Sequence, residues 1–415
     1  MSGTTRESEA SAQAGGLGKG IVPLMAAASG LYVASIYYNQ PMLGILAREF
    51  GIGPGEVAHI AVLTQVGYAL GMVFLASLGD CVERRRLIGL TSTALALALA
   101  CAALAPSFTV LCAASLCIGA LATVAQQVVP MAAHLAPDSQ RGRVVGSVMA
   151  GLLAGILLAR TVSGAVSQYF SWREMFGLAA IATLGMGVVL TLRLPRAEPA
   201  AGLTYPRVLS SMLQLLRKHA RLRRAGMVQG LLFSAFVAFW ANLALYLERP
   251  PFSQGSAVAG LLGVLGVAGV LAAPLAGRLA DKGKGGRGKL IAWGAAALAA
   301  SFALLGFFQG SWTALVLAII LMDIGMQAAM ISNQSRVYGL DASARSRLNT
   351  VFMTIMFASG SVGTAIGAWA FASFGWEGVC VMGAVSGLAA CALEALSTDE
   401  TNKAGGTAER TGAAD

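Results

Sequence analysis

Hydrophobic residues fall in twelve long runs that are separated by short polar segments. A helix needs ~20 mostly apolar residues to cross the hydrocarbon core of a bilayer, and each run is about that long. The pattern therefore predicts twelve membrane-spanning helices, which we number span one to span twelve. The runs lie near 21–45, 57–78, 87–104, 108–132, 145–168, 174–193, 225–247, 256–279, 289–308, 312–334, 348–374 and 377–396.

The composition excludes the water-soluble classes of protein. Of the 415 residues, 56% are hydrophobic and 12% are charged, whereas a soluble domain is about 45–50% apolar and about 25% charged. A soluble chain of this length could not cover its surface with so few charges. We therefore expect an all-α polytopic membrane protein.

The net charge of +10 lies mostly on one side of the predicted membrane. With the N-terminal tail placed in the cytoplasm, 25 of the 29 lysine and arginine residues fall in the tails and the cytoplasmic loops. Arg48, Arg173 and Arg249 fall on the opposite side, and Arg160 lies inside span five. The positive-inside rule then predicts that both termini are cytoplasmic. Anionic lipid headgroups, rather than nucleic acid, are the expected partners of this charge.

The chain repeats itself with a period near 200 residues. At an offset of 204, spans five and eleven share a basic entrance and an aromatic exit. The matching residues are Arg141, Arg143, Phe170 and Trp172 against Arg345, Arg347, Phe374 and Trp376. Parallel repeats of this kind predict two pseudo-symmetric six-helix bundles, with a substrate site between them near the midplane of the membrane.

The repeat also defines the domain organisation. We expect an N-terminal bundle at 21–193 and a C-terminal bundle at 225–396, joined by a basic linker at 194–224. Polar tails at 1–20 and 397–415 flank them. Within the linker, residues 208–222 are predicted to form an amphipathic helix on the membrane surface.

Two loops carry a resemblance to a known family. Gly277, Leu279, Ala280, Asp281 and Lys282, between spans eight and nine, resemble the signature loop of the major facilitator superfamily. Asp80, Arg84 and Arg85, between spans two and three, resemble its first copy. The resemblance covers essentially the whole chain. Residues 37–41, 171–173 and 345–350 are similar to the branch of bacterial drug:proton antiporters.

The resemblance implies a monomeric secondary active transporter in the inner membrane of a bacterium. It implies proton-coupled efflux of a small neutral or amphipathic organic compound. Proton symport of a sugar or organic metabolite, and a sensor that transports nothing, are the alternatives. The two loops would close the cytoplasmic gate, through Asp80, Arg84, Arg85, Gly277, Asp281 and Lys282. We expect no enzymatic activity, cofactor or metal, since the histidines, His59, His134 and His219, lie near span ends.

Two ionisable residues lie deep inside predicted spans. Arg160 is about eight residues from the outer end of span five, or ~12 Å, and Asp323 about eleven residues from the outer end of span ten, or ~16 Å. A charge at the midplane costs ~2.5–3.5 kcal/mol, so each should face a cavity or a partner. We predict that Asp323 exchanges the coupling proton and that Arg160 modulates its proton affinity. A fixed structural ion pair is the alternative.

Polar and aromatic side chains follow helical stripes on spans one, four, seven and ten. The same four spans line the central cavity in the family that the chain resembles. Glutamines and aromatic residues also serve as bonds or packing between helices, so a structural role is the alternative for each. The predicted cavity residues are Tyr32, Asn39, Gln126, Gln127, Gln229, Phe236, Trp240, Asn242 and Gln327.

Glycines recur at short spacings on spans two, five, eight and eleven. Small residues let helix backbones approach closely in lipid. Because these spans form the contact between the halves in the resembled family, we expect their glycines to pack between the bundles. They are Gly67, Gly71, Gly151, Gly155, Gly263, Gly266, Gly363 and Gly367.

Overall fold

The computed structural model describes residues 20–79, 81–137, 140–196, 204–269, 271, 286–341 and 344–411, without the side chains of 286–287 and 397–411. The described chain is helical, and it forms two six-span bundles. In the first bundle the helices are Ile21–Ala34 and Asn39–Phe50 (span one), Pro54–Val57, His59–Gly71 and Met72–Ala76 (two), Arg84–Ala103 (three), Phe108–Ala122 and Ala125–Leu135 (four), Arg141–Tyr169 (five) and Trp172–Arg193 (six).

The second bundle follows a linker helix, Tyr205–Lys218. Its helices are Ala220–Leu247 (seven), Ser256–Leu262 and Gly263–Gly266 (eight), Gly286–Phe307 (nine), Trp312–Tyr338 (ten) and Arg345–Thr411 (eleven and twelve). Among the described residues, ten helices are long and apolar enough to cross a bilayer, and Ser256–Gly269 is a shorter apolar helix. The 52-residue stretch Arg345–Leu396 holds two spans, because the backbone turns at Gly375, whose φ is 66°. Glycine adopts such a positive φ without steric cost.

Polar side chains fix where several spans begin. Ser107, Ser171 and Ser311 each accept a hydrogen bond from a backbone N–H in the first turn of spans four, six and ten. Glu83 does the same for span three, accepting from the N–H groups of Arg85 and Arg86. These acceptors satisfy donors that a helix leaves free at its N-terminus, so each span starts at a defined residue.

The pairing of spans repeats between the bundles. Span five packs on one, four on two and six on three. In the second bundle eleven packs on seven and twelve on nine, and span ten contacts the described part of span eight. The bundles meet where span eight lies against five and span eleven against two. This equivalence is the pseudo-symmetry that the sequence repeat predicts.

Most of the glycine pairs pack within a bundle, so the prediction that they lie between the bundles is wrong for six residues. Gly67 and Gly71 lie against Leu116 and Ala120 of span four. The pairs on spans five and eleven, Gly151 with Gly155 and Gly363 with Gly367, lie against spans one and seven. The reason is that each span has several neighbours, and its small residues face the neighbour whose backbone comes closest.

Gly263 and Gly266 do lie between the bundles. A Cβ on Gly263 would stand 3.1 Å from Cβ of Arg160, and one on Gly266 would stand 2.6 Å from Cδ2 of Leu157, which is also on span five. The segment Gly263–Gly266 is a 3₁₀ helix, with about three residues per turn. Glycines three residues apart therefore share one face of span eight.

Contacts between the bundles are concentrated at the end of the molecule opposite the linker helix, which we call the far face; the other end is the linker face. At the far face Arg48 forms an ion pair of 2.5 Å with Glu248. Gln168 Oε1 accepts from the Ala257 N–H at 2.7 Å, and Thr161 Oγ1 donates to the Gly260 carbonyl at 3.0 Å. The structure is thus closed at the far face.

The linker helix is shorter than predicted. It ends at Lys218, and span seven begins at Ala220, so Leu222 belongs to span seven rather than to the linker. Its apolar face is partly covered by protein: Met212 Sδ accepts from Ser77 Oγ at 3.3 Å, and Tyr205 Oη donates to the Phe74 carbonyl at 3.0 Å. The helix is therefore attached to span two.

A buried ion pair holds spans ten and twelve together near the linker face. Arg336 donates from both terminal nitrogens to Glu394, at 3.0 and 2.6 Å, and the Glu394 side chain is 2% exposed. Removing one member of such a pair leaves the other buried without compensation.

We expect Glu394→Gln to lower the free energy of unfolding by about 3 kcal/mol. Unfolding of the purified protein in mixed detergent micelles, followed by circular dichroism, measures the change. Glu377→Gln, which neutralises an exposed carboxylate at the far face, is the control and should have little effect. Equal stability of the two variants would contradict a structural role for the pair.

Candidate functional site

Arg160 is the buried cation around which the candidate site is built. It lies on span five, and it is 2% exposed. Its Nε donates a hydrogen bond of 2.8 Å to Gln40 Oε1 on span one. The guanidinium carbon lies 4.7 Å from the ring centroid of Tyr37 and 4.3 Å from that of Trp240 on span seven. Two aromatic faces thus stabilise a cation that has left water.

A break in span one positions two of these partners. The helix stops at Ala34 and resumes at Asn39, with a turn between them. This turn carries Tyr37, and Gln40 lies in the first turn of the second helix, so both side chains reach Arg160. Span eight approaches from the other bundle because Gly260 and Gly263 place no side chain in the way.

Asp323 lies on span ten and is 7% exposed. It is packed against the glycine row of span eight, close to Gly266 and Gly269. Its charge and that of Arg160 lie close enough to interact. Within the described part of the chain, however, neither Asp323 Oδ2 nor Arg160 Nη2 has a hydrogen-bond partner. Span eight therefore lies between Arg160 and Asp323, and the two residues do not form a hydrogen-bonded ion pair.

A narrow cleft opens beside Arg160, between spans one, five, seven and eight. In this conformation it is too narrow to hold a water molecule. Trp240 forms one of its walls, and its buried Nε1 has no acceptor among the described residues. The cleft is lined by Gln40, Pro41, Arg160, Trp240, Leu243, Ala244 and Ala259.

Aromatic rings extend from the cleft along span seven. Phe236 lies between Trp240 and Phe233, with ring centroids 6.3 Å from each. Phe233 contacts Phe357 of span eleven. The Phe357 ring is tilted against Tyr68 of span two, with the centroids 4.3 Å apart. The predicted aromatic residues of span seven thus lie at the interface of the two bundles.

Amide groups join spans seven and ten further toward the linker face. Gln229 Oε1 accepts from Asn333 Nδ2 at 3.2 Å. From span ten, Gln334 Nε2 and Tyr338 Oη both donate to Asn349 Oδ1 of span eleven, at 2.9 and 3.1 Å. Gln327 is half-buried, and its methylene group lies against Gly269.

Five predicted cavity residues bond within their own bundle instead of facing the cleft. Ser92 donates to Tyr32 Oη at 2.8 Å, and Asn39 donates to Thr64 at 2.9 Å. The others are Gln126, bonded to Tyr68, Gln127, bonded to the carbonyls of Leu75 and Ala76, and Asn242, bonded to the carbonyl of Ala238. Helical spacing identified the right spans but not the direction in which each side chain hydrogen-bonds.

Tyr37 and Gln40 are the site residues that sequence reasoning missed. Both lie in the segment 37–41, which was noted for its family resemblance alone. The available signal was a glutamine within an apolar run that also holds three tyrosines. The helix break that turns them toward span five cannot be derived from that pattern.

The predicted gate loops are only partly described. Asp80, Gly277, Asp281 and Lys282 lie outside the described residues. Arg84 Nε donates to the Gly79 carbonyl at 3.1 Å, and the Arg85 N–H is bonded to Glu83. Both arginines lie at the linker face, at the start of span three.

Comparisons with known proteins agree with this architecture. The sequence matches the Major Facilitator Superfamily over residues 25–337 and 255–414. It is 37% identical over 372 residues to the uncharacterized transporter YgaY of Escherichia coli O157:H7, a match that covers 90% of this chain and 94% of that protein. It is 34% identical over 384 residues to the probable transporter SCO4007 of Streptomyces coelicolor, covering 91% and 87%.

Solved structures share the fold at low sequence identity. A bacterial homologue of the human lysosomal transporter Spinster, in an inward-facing and occupied conformation, aligns with a TM-score of 0.71 and 13% identity over 91% of this chain and 96% of that one. The nucleoside transporter NupG aligns with a TM-score of 0.70 and 15% identity over 90% and 99%. The sequence matches, which cover most of the chain, extend the relationship from fold to family. The chain is therefore a member of the major facilitator superfamily and a membrane transporter of that type.

Proposed function

We propose that this transporter is proton-coupled, that Asp323 carries the coupling proton, and that Arg160 modulates its proton affinity. One observation supports this proposal above the others. Two buried, oppositely charged residues on different bundles lie against the same row of glycines on span eight, and each keeps a charged atom without a hydrogen-bond partner in the described structure.

The placement gives the pair a means of coupling. A charge at the centre of a bilayer costs ~2.5–3.5 kcal/mol even on lenient scales. Arg160 belongs to the first bundle and Asp323 to the second, so a movement of one bundle against the other changes the distance between their charges. Binding of a proton and the conformation of the transporter then influence each other, as linked equilibria must.

Efflux by antiport is the first candidate for the direction of transport. We propose it for a small neutral or amphipathic organic compound, on the strength of the branch resemblance. The aromatic rings of Phe236 and Trp240, with the amides of Gln229 and Gln327, suit such a compound. The linker face would be cytoplasmic, since the basic residues gather there.

Proton symport of an organic metabolite is the second candidate, and one observation favours it. Arg160 Nη2 has no hydrogen-bond partner among the described residues, and an acidic group on the substrate would supply one. Negative charge bound at Arg160 would strengthen proton binding at Asp323, and simultaneous binding of substrate and proton is what symport requires.

Alternating access requires that the closed far face open. The contacts there are the ion pair of Arg48 with Glu248 and the close packing of spans five and eight. We propose that this closure releases as the loops at the linker face come together, so that the cleft faces each side of the membrane in turn.

The first prediction concerns the proton. In everted membrane vesicles, a pH gradient should drive accumulation of at least one of the amphipathic dyes ethidium, Hoechst 33342 and rhodamine 6G if the direction is efflux. In vesicles of the native orientation, symport would instead drive uptake of a labelled metabolite. In either case Asp323→Asn should abolish proton-driven flux and preserve exchange of substrate between the two sides.

Glu377→Gln is the matched control, since it removes an exposed carboxylate. It should retain proton-driven flux. If Asp323→Asn also retained it, the assignment of the proton to Asp323 would be wrong.

The second prediction concerns closure of the far face. A side chain on Gly260 would collide with the backbone carbonyl of Arg160, so Gly260→Val should hold the far face open. In a variant without the native cysteines, Ser167→Cys reports this opening, because Ser167 is buried between the bundles beside Ser256. A membrane-impermeant maleimide should label it several-fold faster when Gly260→Val is present.

Gly177→Val on span six tests the specificity of that effect. A Cβ at Gly177 would meet no atom within 4 Å, so this variant should label at the original rate. Equal rates for the two valine variants would show that the seam between spans five and eight does not control the far face.

A further inference from the structure

An apolar groove lies between the linker helix, span two and span eleven, near the linker face. Its volume is about 310 Å³, and a water molecule takes up about 30 Å³ of liquid water, so the groove has room for a ligand of many atoms. The polar residue in its wall, Thr354, donates to the Thr350 carbonyl within span eleven. The groove therefore offers a ligand hydrocarbon contacts. Its apolar walls include Val73, Phe74, Leu213, Leu216, Val351 and Ile355.

The groove opens toward lipid and away from the centre of the molecule. On span eleven, Ile355 lies on the same helical strip as Val362, seven residues further along, and Val362 is exposed. Phe357, on another side of this span, faces the aromatic rings at the interface of the bundles. Leu213 of the linker helix and Phe74 of span two are each 49% exposed. In a membrane-spanning protein, lipid hydrocarbon covers such exposed apolar side chains.

Positive charge lies beside the groove at the linker face. Residues 205–224 include six basic residues and no acidic one. Arg217 is exposed, and it follows Leu213 by four residues, so the two side chains share one strip of the linker helix. Arg345, also exposed, precedes Val351 of the groove by six residues, or ~9 Å of helix. An apolar groove below exposed cations complements an anionic amphiphile whose charged group lies at the membrane surface.

We propose that this groove binds an anionic phospholipid from the leaflet at the linker face. One acyl chain lies in the groove against Leu213 and Phe74, and Arg217 binds the phosphate of the headgroup. The site goes beyond the proposed function, because its occupant is a component of the membrane and not the transported compound.

The position of the groove gives the lipid an influence on the conformation. Span two belongs to the first bundle and span eleven to the second. The linker helix is bonded to span two through Ser77 and Met212, and its Leu215 packs in one apolar cluster with Leu348 and Phe352 of span eleven. Movement of one bundle against the other therefore changes the walls of the groove. A ligand that fits the groove while the far face is closed favours that conformation.

Native mass spectrometry of the purified full-length protein measures lipid binding directly. Phosphatidylglycerol would be compared with phosphatidylcholine that carries the same acyl chains. We expect saturable retention of one phosphatidylglycerol. Attraction of an anionic lipid by a basic residue near the surface corresponds to roughly a fivefold change in affinity, so phosphatidylcholine should bind at least fivefold more weakly.

Two variants separate the contribution of the groove from that of the charge. Leu213→Gln keeps every charge and removes an apolar contact, so it should weaken phosphatidylglycerol binding several-fold. Arg217→Gln should weaken it roughly fivefold. Both residues are at least half-exposed, so the variants should fold. Leu192→Gln and Arg193→Gln are the matched controls, because both residues are exposed at the linker-face end of span six. They should bind as the unmodified protein does.

The maleimide reporter at Ser167→Cys measures the effect on conformation. In vesicles of phosphatidylcholine, the addition of phosphatidylglycerol should slow labelling several-fold, because the far face stays closed for longer. Leu213→Gln in the same background should remove most of this effect, whereas Leu192→Gln should leave it unchanged.

The proposal is overturned if the two lipids are retained equally, since the groove would then hold ordinary boundary lipid. It is also overturned if Leu213→Gln binds phosphatidylglycerol with unchanged affinity, or if the two control variants weaken binding as much as the groove variants do. Labelling that does not respond to phosphatidylglycerol would overturn the influence on conformation.

Discussion

A guanidinium group that neither lipid nor bulk water can solvate governs the arrangement of the molecule's centre. Arg160 has lost its water, and three side chains replace part of it: the amide of Gln40 and the faces of Tyr37 and Trp240. Span one is interrupted just where it passes this group, and span seven brings an indole to it. The cost of the buried charge is therefore distributed over both bundles, and any movement between them changes how well the charge is compensated.

Span eight passes between the two buried charges. It can do so because glycines leave little side-chain volume where it passes Arg160 and Asp323. Its glycines recur every third residue: Gly260 and Gly263 lie against span five, and Gly269 lies against span ten. Backbone thus lies between Arg160 and Asp323, close to both. An ordinary side chain here would fix the spacing of the bundles, whereas glycine lets them approach closely and shift.

The twelve spans, their pairing into bundles and the two deep charges follow from the sequence, because each depends on hydrophobic length or on the cost of a charge in lipid. The direction of side chains does not. Gln126 and Asn39 lie on the predicted spans yet bond Tyr68 and Thr64 of a neighbouring helix. Gly151 and Gly363 face the partner span of their own bundle. Which neighbour a small or polar residue contacts depends on the rotation of each helix about its axis. When a helix has three or four neighbours, its sequence does not indicate which of them a given residue faces.

The two bundles repeat the same fold, but the two buried charged residues have no counterpart in the other bundle. At the offset of 204 that relates spans five and eleven, Arg160 corresponds to Thr364, which donates to its own helix at the Gly360 carbonyl. Span four, the counterpart of span ten, contains no acidic residue between Phe108 and Leu135. One bundle therefore holds the cation and the other the carboxylate. Symmetric halves would place like charges opposite each other across the interface, and these charges would repel in both conformations. Opposite charges on the two halves attract each other. The strength of this attraction varies with protonation and with the position of the bundles. In the proposed mechanism, the asymmetry of these two residues, rather than the shared fold, would allow a proton to act on the movement.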